Sequence, residues 1–192
     1  MINKELKLIL ASKSPRRHDL IKGIEVKSEI KTYEVDESFP SHLQAGDIAL
    51  YLAEKKAKAY PDALLDNEVL LTADTIVWID NHVLNKPADV KEAFEMLTML
   101  RGNKHEVYTG VCLRSNKLQF TFTECSEVWC RNISDEHIMH YINHYKPFDK
   151  AGSYGIQDWF GYTAVEKING CFFNIMGLPV GKVYEYLKNF DS

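Results

Sequence analysis

From Val69 to Ile79 the chain runs Val-Leu-Leu-Thr-Ala-Asp-Thr-Ile-Val-Trp-Ile, and Asp74 is the only charged residue in the stretch. A segment this apolar and this rich in β-branched and aromatic side chains reads as buried strand. Glu68 to Ala73 and Thr75 to Ile79 are expected to flank Asp74 as extended pieces, the first emerging from the core to present a carboxylate at its edge.

Strand-like and helix-like segments alternate around this block. Leu6 to Ala11 is a short apolar run that empties into Ser12-Lys13-Ser14-Pro15-Arg16-Arg17. Ser14 as N-cap, Pro15 at the first helical position and Gly23 past the end mark a short helix there. Val26 to Thr32 reads as a second extended piece, with the acidic pair Asp36-Glu37 in the loop beyond it. Asp47 is placed to cap a helix running to about Tyr60, which Pro61 ends. Asp80-Asn81-His82 has the composition of a tight turn into Val83-Leu84.

Asp89 and Glu92 form a capping box ahead of the stripe Ala93, Met96, Leu97 and Leu100, which stops at Gly102. His105 to Arg114 and Leu118 to Trp129, joined by Ser115-Asn116-Lys117, predict an antiparallel hairpin. Ser134 starts a helix with Ile138, Tyr141, Ile142 and Tyr145 on one face, and Lys146 to Phe160 reads as a structured connection. Asn169-Gly170, between Val165-Ile168 and Cys171-Ile175, predicts a second hairpin, and Pro179 opens a final helix to about Phe190. The pattern as a whole predicts a mixed α/β fold with antiparallel hairpins and no internal repeat.

At 192 residues and 45% hydrophobic, the chain can bury a sizeable core as one domain over residues 1–192, compact or as two lobes sharing a cleft. A net charge of −4 leaves no electrostatic reason to bind a nucleic-acid polymer or an anionic membrane, so any grip on phosphate must be local. Cys112, Cys125, Cys130 and Cys171 lack the paired spacings of a zinc or redox motif and read as reduced packing residues. Met1 to Leu10 is too charged for a signal peptide, and no run reaches the ~18 apolar residues of a membrane span, so a cytoplasmic address is expected.

Several residues suit phosphate chemistry. A helix starting at Ser14 offers free N–H groups and a positive dipole end, and Arg16 and Arg17 add guanidinium forks for phosphate oxygens; a capped surface helix with solvated arginines fits the spacing equally well. Asp74 could hold a divalent metal or deprotonate a water, or be a turn aspartate bonded to its own backbone. Glu37 is a second metal ligand or base by type, and Lys56 and Lys86 could each offset phosphate charge, although single surface residues of these types are usually just solvated. His137, His140 and His144 share a helical face beside the apolar one, where a solvated flank is a simpler account than a transition-metal site.

Five segments in order, Ser12-Lys13-Ser14-Pro15-Arg16-Arg17, Asp36-Glu37-Ser38, Ala73-Asp74-Thr75-Ile76-Val77, Leu84-Asn85-Lys86-Pro87 and Asp149-Lys150-Ala151-Gly152-Ser153-Tyr154-Gly155-Ile156-Gln157, make the sequence similar to the Maf family of nucleoside triphosphate pyrophosphatases. The resemblance implies an elongated mixed sheet with flanking helices and two lobes around a cleft, related to the inosine triphosphatase type and commonly homodimeric. It implies hydrolysis of a nucleoside triphosphate to monophosphate and pyrophosphate, with Asp74 as proton acceptor. Asp74 and Glu37 would hold Mg²⁺ or Mn²⁺, and Ser12, Arg16, Arg17, Lys56 and Lys86 would contact phosphates. Tyr154 to Gln157 matches the branch that prefers dTTP and UTP, with Gln157, Arg16 and Thr75 linked to base choice; Lys150 matches without an assigned role. The sequence departs from the family at Thr72, where glycine is frequent, and at Ser153, where alanine is. A rival implied by the same resemblance is a nucleotide-binding regulator of cell division whose hydrolysis is incidental. A phosphomonoesterase using Asp74 as nucleophile would need an Asp-x-Asp pairing, and Thr75-Ile76 follows instead.

Overall fold

The computed structural model describes residue 2 and residues 5–190; the N-terminal segment weighed above as a signal peptide lies partly outside them, as do the last two residues. The chain runs through β1 (Lys7–Ala11), α1 (Pro15–Gly23), β2 (Ser28–Lys31), α2 (Gly46–Lys58), β3 (Glu68–Ile79), β4 (His82–Leu84), α3 (Val90–Leu100), β5 (Lys104–Arg114) and β6 (Gln119–Cys130). It continues with α4 (Asp135–Tyr145), a 3-10 turn (Ala151–Ser153), α5 (Trp159–Ala164), β7 (Val165–Asn169), α6 (Phe172–Met176), α7 (Val180–Leu187) and a closing 3-10 turn (Lys188–Phe190). The strands form one open mixed sheet in the order β2-β1-β3-β5-β6-β7, with β4 paired to β3. Its first three strands are parallel and the rest are antiparallel.

β3 is the central strand, and Asp74 lies inside it. The two extended pieces expected on either side of Asp74 are a single strand from Glu68 to Ile79, because β5 pairs with it without interruption from Leu70 to Trp78. On its other edge β1 stops pairing at Leu71 and β4 begins only at Val77. Thr72 to Ile76 therefore face a gap in the sheet where β1 turns away into the Ser12–Arg17 segment, so the carboxylate reaches an edge without the strand ending.

Alternation along β3 sends its side chains to two different layers. Leu70 packs with Ala53, Ala57 and Tyr60, and Ile76 with Ile48, Ala49 and Leu52, which places α2 on the face that Asp74 shares. Leu71 and Ala73 pack on the other face with Leu20 and Ile21 of α1 and with Val180, Val183 and Leu187 of α7. Val77 and Ile79 join α3 and α4 in a separate cluster further along that same face. The buried Thr72 hydroxyl donates to the Ala53 carbonyl at 2.7 Å, so the residue that departs from the family pattern ties α2 to the sheet.

Most local expectations match. Ser14 caps α1 by accepting from the Arg17 N–H, Asp89 caps α3, and Ser134 caps α4. Asp80 and Asn81 both take positive φ in the β3–β4 turn, the conformation that a tight hairpin demands. Others are corrected. The N-cap of α2 is Ala45 at φ 47°, one residue before the helix begins at Gly46, which puts Asp47 in the first turn. There its charge favours the helix dipole without a capping bond. The Glu92 carboxylate accepts from Ala88 N–H, one residue earlier than a capping box requires. No hairpin forms at Asn169-Gly170: β7 pairs with β6, and the residues after Gly170 coil into α6, where the buried Asn174 side chain bonds the Val107 carbonyl. The Asn-Gly signal was real as a turn, but tertiary packing decided what followed it. Tyr145 is partly exposed but stacks on Tyr141, so it shares that face; Cys125 is exposed and is not a packing residue, and His137, His140 and His144 lie exposed along α4.

Gly110 sets the distance between α2 and the sheet. It pairs with Asp74 across β3 and β5, and a Cβ there would lie 2.2 Å from the backbone carbon and oxygen of Ala49. The missing side chain lets α2 settle directly over Asp74. Gly110→Ala is expected to cost about 2–3 kcal/mol through overpacking and to lower Tm by roughly 4–12 °C in thermal unfolding. An unchanged Tm would mean that the contact between α2 and β5 is not tight.

Candidate active site

The gap beside β3 opens into a cleft of about 600 Å³, a size that holds a small-molecule ligand. All nine residues picked from the sequence line it: Ser12, Arg16, Arg17, Glu37, Lys56, Asp74, Thr75, Lys86 and Gln157. They arrive from the turn after β1 and the start of α1, the loop after β2, α2, the middle of β3, the loop after β4 and the loop before α5. Six lysines and arginines and four carboxylates line the walls, so a chain with net charge −4 carries a local positive surplus here.

On the α2 face of β3, Lys56 stands between two carboxylates. Its ammonium donates to Asp74 Oδ1 at 2.6 Å and pairs with Glu37 Oε1 at 2.7 Å. The three side chains are unequally covered, Lys56 at 16%, Asp74 at 14% and Glu37 at 53% exposure. Burial pushes the Glu37 carboxyl up, but the hydrogen bond from Lys56, with Lys86 and Arg17 at longer range, outweighs it and holds the group below its ordinary value. The Lys56 ammonium thus bridges both acids, and Glu37 is held ionised beside it.

On the opposite face, Arg17 works inward. Its Nε donates to the Gly177 carbonyl at 2.7 Å, Nη1 to the Ala73 carbonyl at 2.8 Å and Nη2 to Thr75 Oγ1 at 3.0 Å. Ala73 belongs to the stretch of β3 without a neighbouring strand, so the guanidinium satisfies part of that open edge. Burial pushes the Arg17 pKa down, opposed by the nearby Asp74 and Glu37. The Thr75 hydroxyl also meets Thr109 Oγ1 at 2.8 Å and the Gly177 carbonyl at 3.2 Å, which fills its one donor and two acceptor places. Three of the five Arg17 donors are spent on the protein, leaving two for a ligand.

Arg16, its neighbour on α1, instead reaches Asp149 Oδ2 at 2.7 Å. Buried Ser12 accepts from the Ser14 N–H at 3.2 Å, closing the turn before the helix. Exposed Lys86 has no hydrogen bond to a described residue and acts on Glu37 only through space. At the far wall, the Gln157 Oε1 is buried and has no partner among the described residues.

Asp149, Lys150, Asp158 and Tyr141 were not singled out as working residues, though Asp149 and Lys150 fall within a quoted motif. His105 was missed altogether. It sits buried on β5 with Nε2 2.7 Å from the Tyr154 hydroxyl, and burial pushes its pKa down to about 3, so it holds Tyr154 as a neutral ring. A lone histidine in a strand carries no sequence signal for that.

Asp74 and Glu37 are the residues that could hold a metal. No group of three or more His, Cys, Asp or Glu side chains poised for an ion occurs among the described residues. Two hard carboxylates less than two hydrogen-bond lengths apart, facing a cleft for a phosphate ligand, fit Mg²⁺ or Mn²⁺, which take the rest of their shell from phosphate and water.

Two measurements test this geometry. Lys56→Met removes the main opposition to burial and leaves only Lys86 and Arg17 at longer range, so the Glu37 pKa is expected to rise, read by carboxyl-carbon NMR titration; an unmoved value would break the link between them. Ser153 is fully buried at φ 61° with no partner for its hydroxyl among the described residues. Ser153→Ala is therefore expected to raise stability by about 1 kcal/mol, a gain of roughly 2–4 °C in Tm; a fall in Tm would contradict an orphaned hydroxyl.

Comparison with known proteins agrees with this layout. The family model described as Maf-like protein matches residues 7–190. The chain is 46% identical over 188 residues to the dTTP/UTP pyrophosphatase of Parabacteroides distasonis, with 97% of each chain covered. It is 47% identical over 186 residues to the protein of the same name from Phocaeicola vulgatus, covering 96% of each. With Flavobacterium johnsoniae dTTP/UTP pyrophosphatase it shares 46% identity over 184 residues, 96% of this chain and 95% of the relative. A family match over residues 7–190, with relatives 46–47% identical along nearly the whole length, places the chain in the Maf family.

Proposed function

We propose that the protein hydrolyses dTTP and UTP to the monophosphate and pyrophosphate by attack of water on the α-phosphorus. The observation that carries this reading is the convergence of Asp74, Glu37 and Lys56 in the cleft that also contains the Ser12–Arg17 turn at one wall and an unpartnered Gln157 oxygen at another. The names of the relatives support it.

The triphosphate lies along the Ser12–Arg17 turn, where N–H groups at the start of α1 and the free donors of Arg17 meet phosphate oxygens. Lys86, exposed and uncommitted, supplies further positive charge, and so does Lys56 once its carboxylates are otherwise engaged. Asp74 accepts the proton of the attacking water as the water oxygen bonds to the α-phosphorus. The bond from that phosphorus to the bridging oxygen breaks, and pyrophosphate leaves with the electron pair. Glu37 shares the Lys56 ammonium with Asp74, so that cation is not committed to Asp74 alone. A divalent cation bound by Asp74 and Glu37 supplies charge neutralisation on the phosphate oxygens.

Gln157 faces the base. Uracil and thymine present an N3–H between two carbonyls; the orphaned Oε1 accepts the former and the amide N–H donates to one of the latter. Cytosine offers a lone pair at N3, which would leave two acceptors facing each other at a cost of ~1–3 kcal/mol. Arg16 shares in base selection, and Thr75 contributes by holding Arg17. We also place the enzyme in the cytosol as a homodimer. Its four unbridged cysteines suit a reducing compartment, and the exposed rings of Phe172 and Phe173 offer apolar surface to a second copy. No helix among the described residues is long and apolar enough to cross a membrane.

Asp74→Asn keeps the shape and removes the base. A loss of about 10²–10⁴ in kcat for UTP and dTTP is expected, with nucleotide binding largely retained. Turnover within about threefold of wild type would remove Asp74 from the reaction. Release of orthophosphate in place of pyrophosphate would overturn the reaction itself.

A further inference from the structure

A chain of polar contacts fastens the loop carrying Gln157 to the start of α1. Arg16 donates to Asp149 Oδ2 at 2.7 Å, and the other oxygen of Asp149 accepts from Lys150 Nζ at 2.9 Å. The same ammonium stands 3.6 Å from Asp158 Oδ2. That oxygen accepts from the Tyr141 hydroxyl at 3.1 Å, which in turn accepts from the Gly155 N–H at 3.1 Å. A Cβ on Gly155 would lie 2.5 Å from the Asp158 carboxylate, so a side chain there would push Asp158 aside. Gln157 falls between the two ends of this small turn, which the Asp158 N–H closes on the Gly155 carbonyl at 3.1 Å.

Lys150 is the middle of the chain and its least exposed ion, at 13% against 24% for Arg16, 56% for Asp149 and 21% for Asp158. We propose that Lys150 is a positioning residue for base selection: by clamping Asp149 and Asp158 it sets Arg16 and Gln157 in register with each other. The proposal deepens the function proposed above and rests on it.

A phosphate contact is the obvious competing role for a lysine in this cleft, and the surroundings argue against it. Arg16, Asp149, Lys150 and Asp158 sum to zero charge, and a polyphosphate approaching Lys150 would meet the carboxylates on either side of it. Lys56 is also flanked by two acids, but those are the pair that would hold a divalent cation, and the ammonium charge would then be left for phosphate. Asp149 and Asp158 are tied to Arg16 and Tyr141 instead, and nothing in the proposed reaction relieves them of Lys150. Burial pushes the Asp149 carboxyl up while Lys150 and Arg16 bring it to about 2, so the clamp stays charged across the neutral range.

The test uses the full chain with Lys150→Met, which keeps the stem and drops the charge, and Lys150→Arg, which returns it. kcat/KM for UTP and CTP, the inhibition constant for inorganic tripolyphosphate, and Tm are measured for each. Lys150→Met is expected to lower the preference for UTP over CTP at least about tenfold while the tripolyphosphate constant stays within about twofold, and Lys150→Arg recovers most of the preference. A tripolyphosphate constant that rises together with KM for both nucleotides makes Lys150 a phosphate contact and overturns the proposal, as does an unchanged preference. Should Lys150→Met fold poorly, Asp158→Asn, which still accepts from Tyr141, must show the same loss; a retained preference there overturns the proposal too. If the wild type releases no pyrophosphate from UTP, the proposed function fails separately, and UTP against CTP binding by calorimetry then reads the clamp on its own.

Discussion

The cleft exists because the central strand of the sheet lacks a neighbour on one edge for five residues. Backbone groups along such an edge must find partners or water, and the fold meets this demand with one buried arginine. Arg17 bonds the Ala73 carbonyl, the Thr75 hydroxyl and the Gly177 carbonyl, linking α1, β3 and the segment ahead of α7. The same gap lets Asp74 and Thr75, which point to opposite faces of β3, line a single cavity. A fully paired β3 would bury Asp74 beneath α2 and seal Thr75 under α1.

The carboxylate on that strand must be compensated, and α2 provides the means. Thr72 anchors the helix to the strand, Gly110 lets it approach, and Lys56 at its C-terminal end lands on Asp74. Breaking a buried ion pair by removing one partner is costly, because the remaining charge is stranded. The arrangement is therefore compensated without ligand, since one ammonium pairs with both carboxylates. Packing of α2 and chemistry at Asp74 are one constraint, so a lesion at Gly110 acts on both.

Much of this was readable before any coordinates. Ser14-Pro15, Asp89 and Ser134 announced their helices through capping chemistry, which is local, and the structure bears them out. Five ordered motifs hold eight of the nine residues picked out, Lys56 being the ninth, and all nine line one cleft. What escaped depends on contacts between distant segments. Asp74 was read as a break between strands because a carboxylate in an apolar run looks like a turn; nothing local reveals that β5 continues past it while β1 departs. Asn169-Gly170 has the composition of a hairpin, yet α6 follows because Asn174 has buried partners on β5 and β6. His105 and Tyr154 lie 49 positions apart and meet only in the fold.

Arg16 and Arg17 show most clearly why residue type and spacing stop short of role. Both looked like phosphate forks, and on a helix successive side chains diverge by about 100°. Arg17 therefore turns into the sheet and spends three donors on the protein, while Arg16 turns across the cleft to Asp149 and the loop that carries Gln157. One arginine fixes where the phosphate wall stands, and the other couples that wall to the place where the base is read. Their adjacency in sequence makes the start of α1 the common reference for both ends of the ligand, so a shift of this helix would disturb phosphate placement and base choice together.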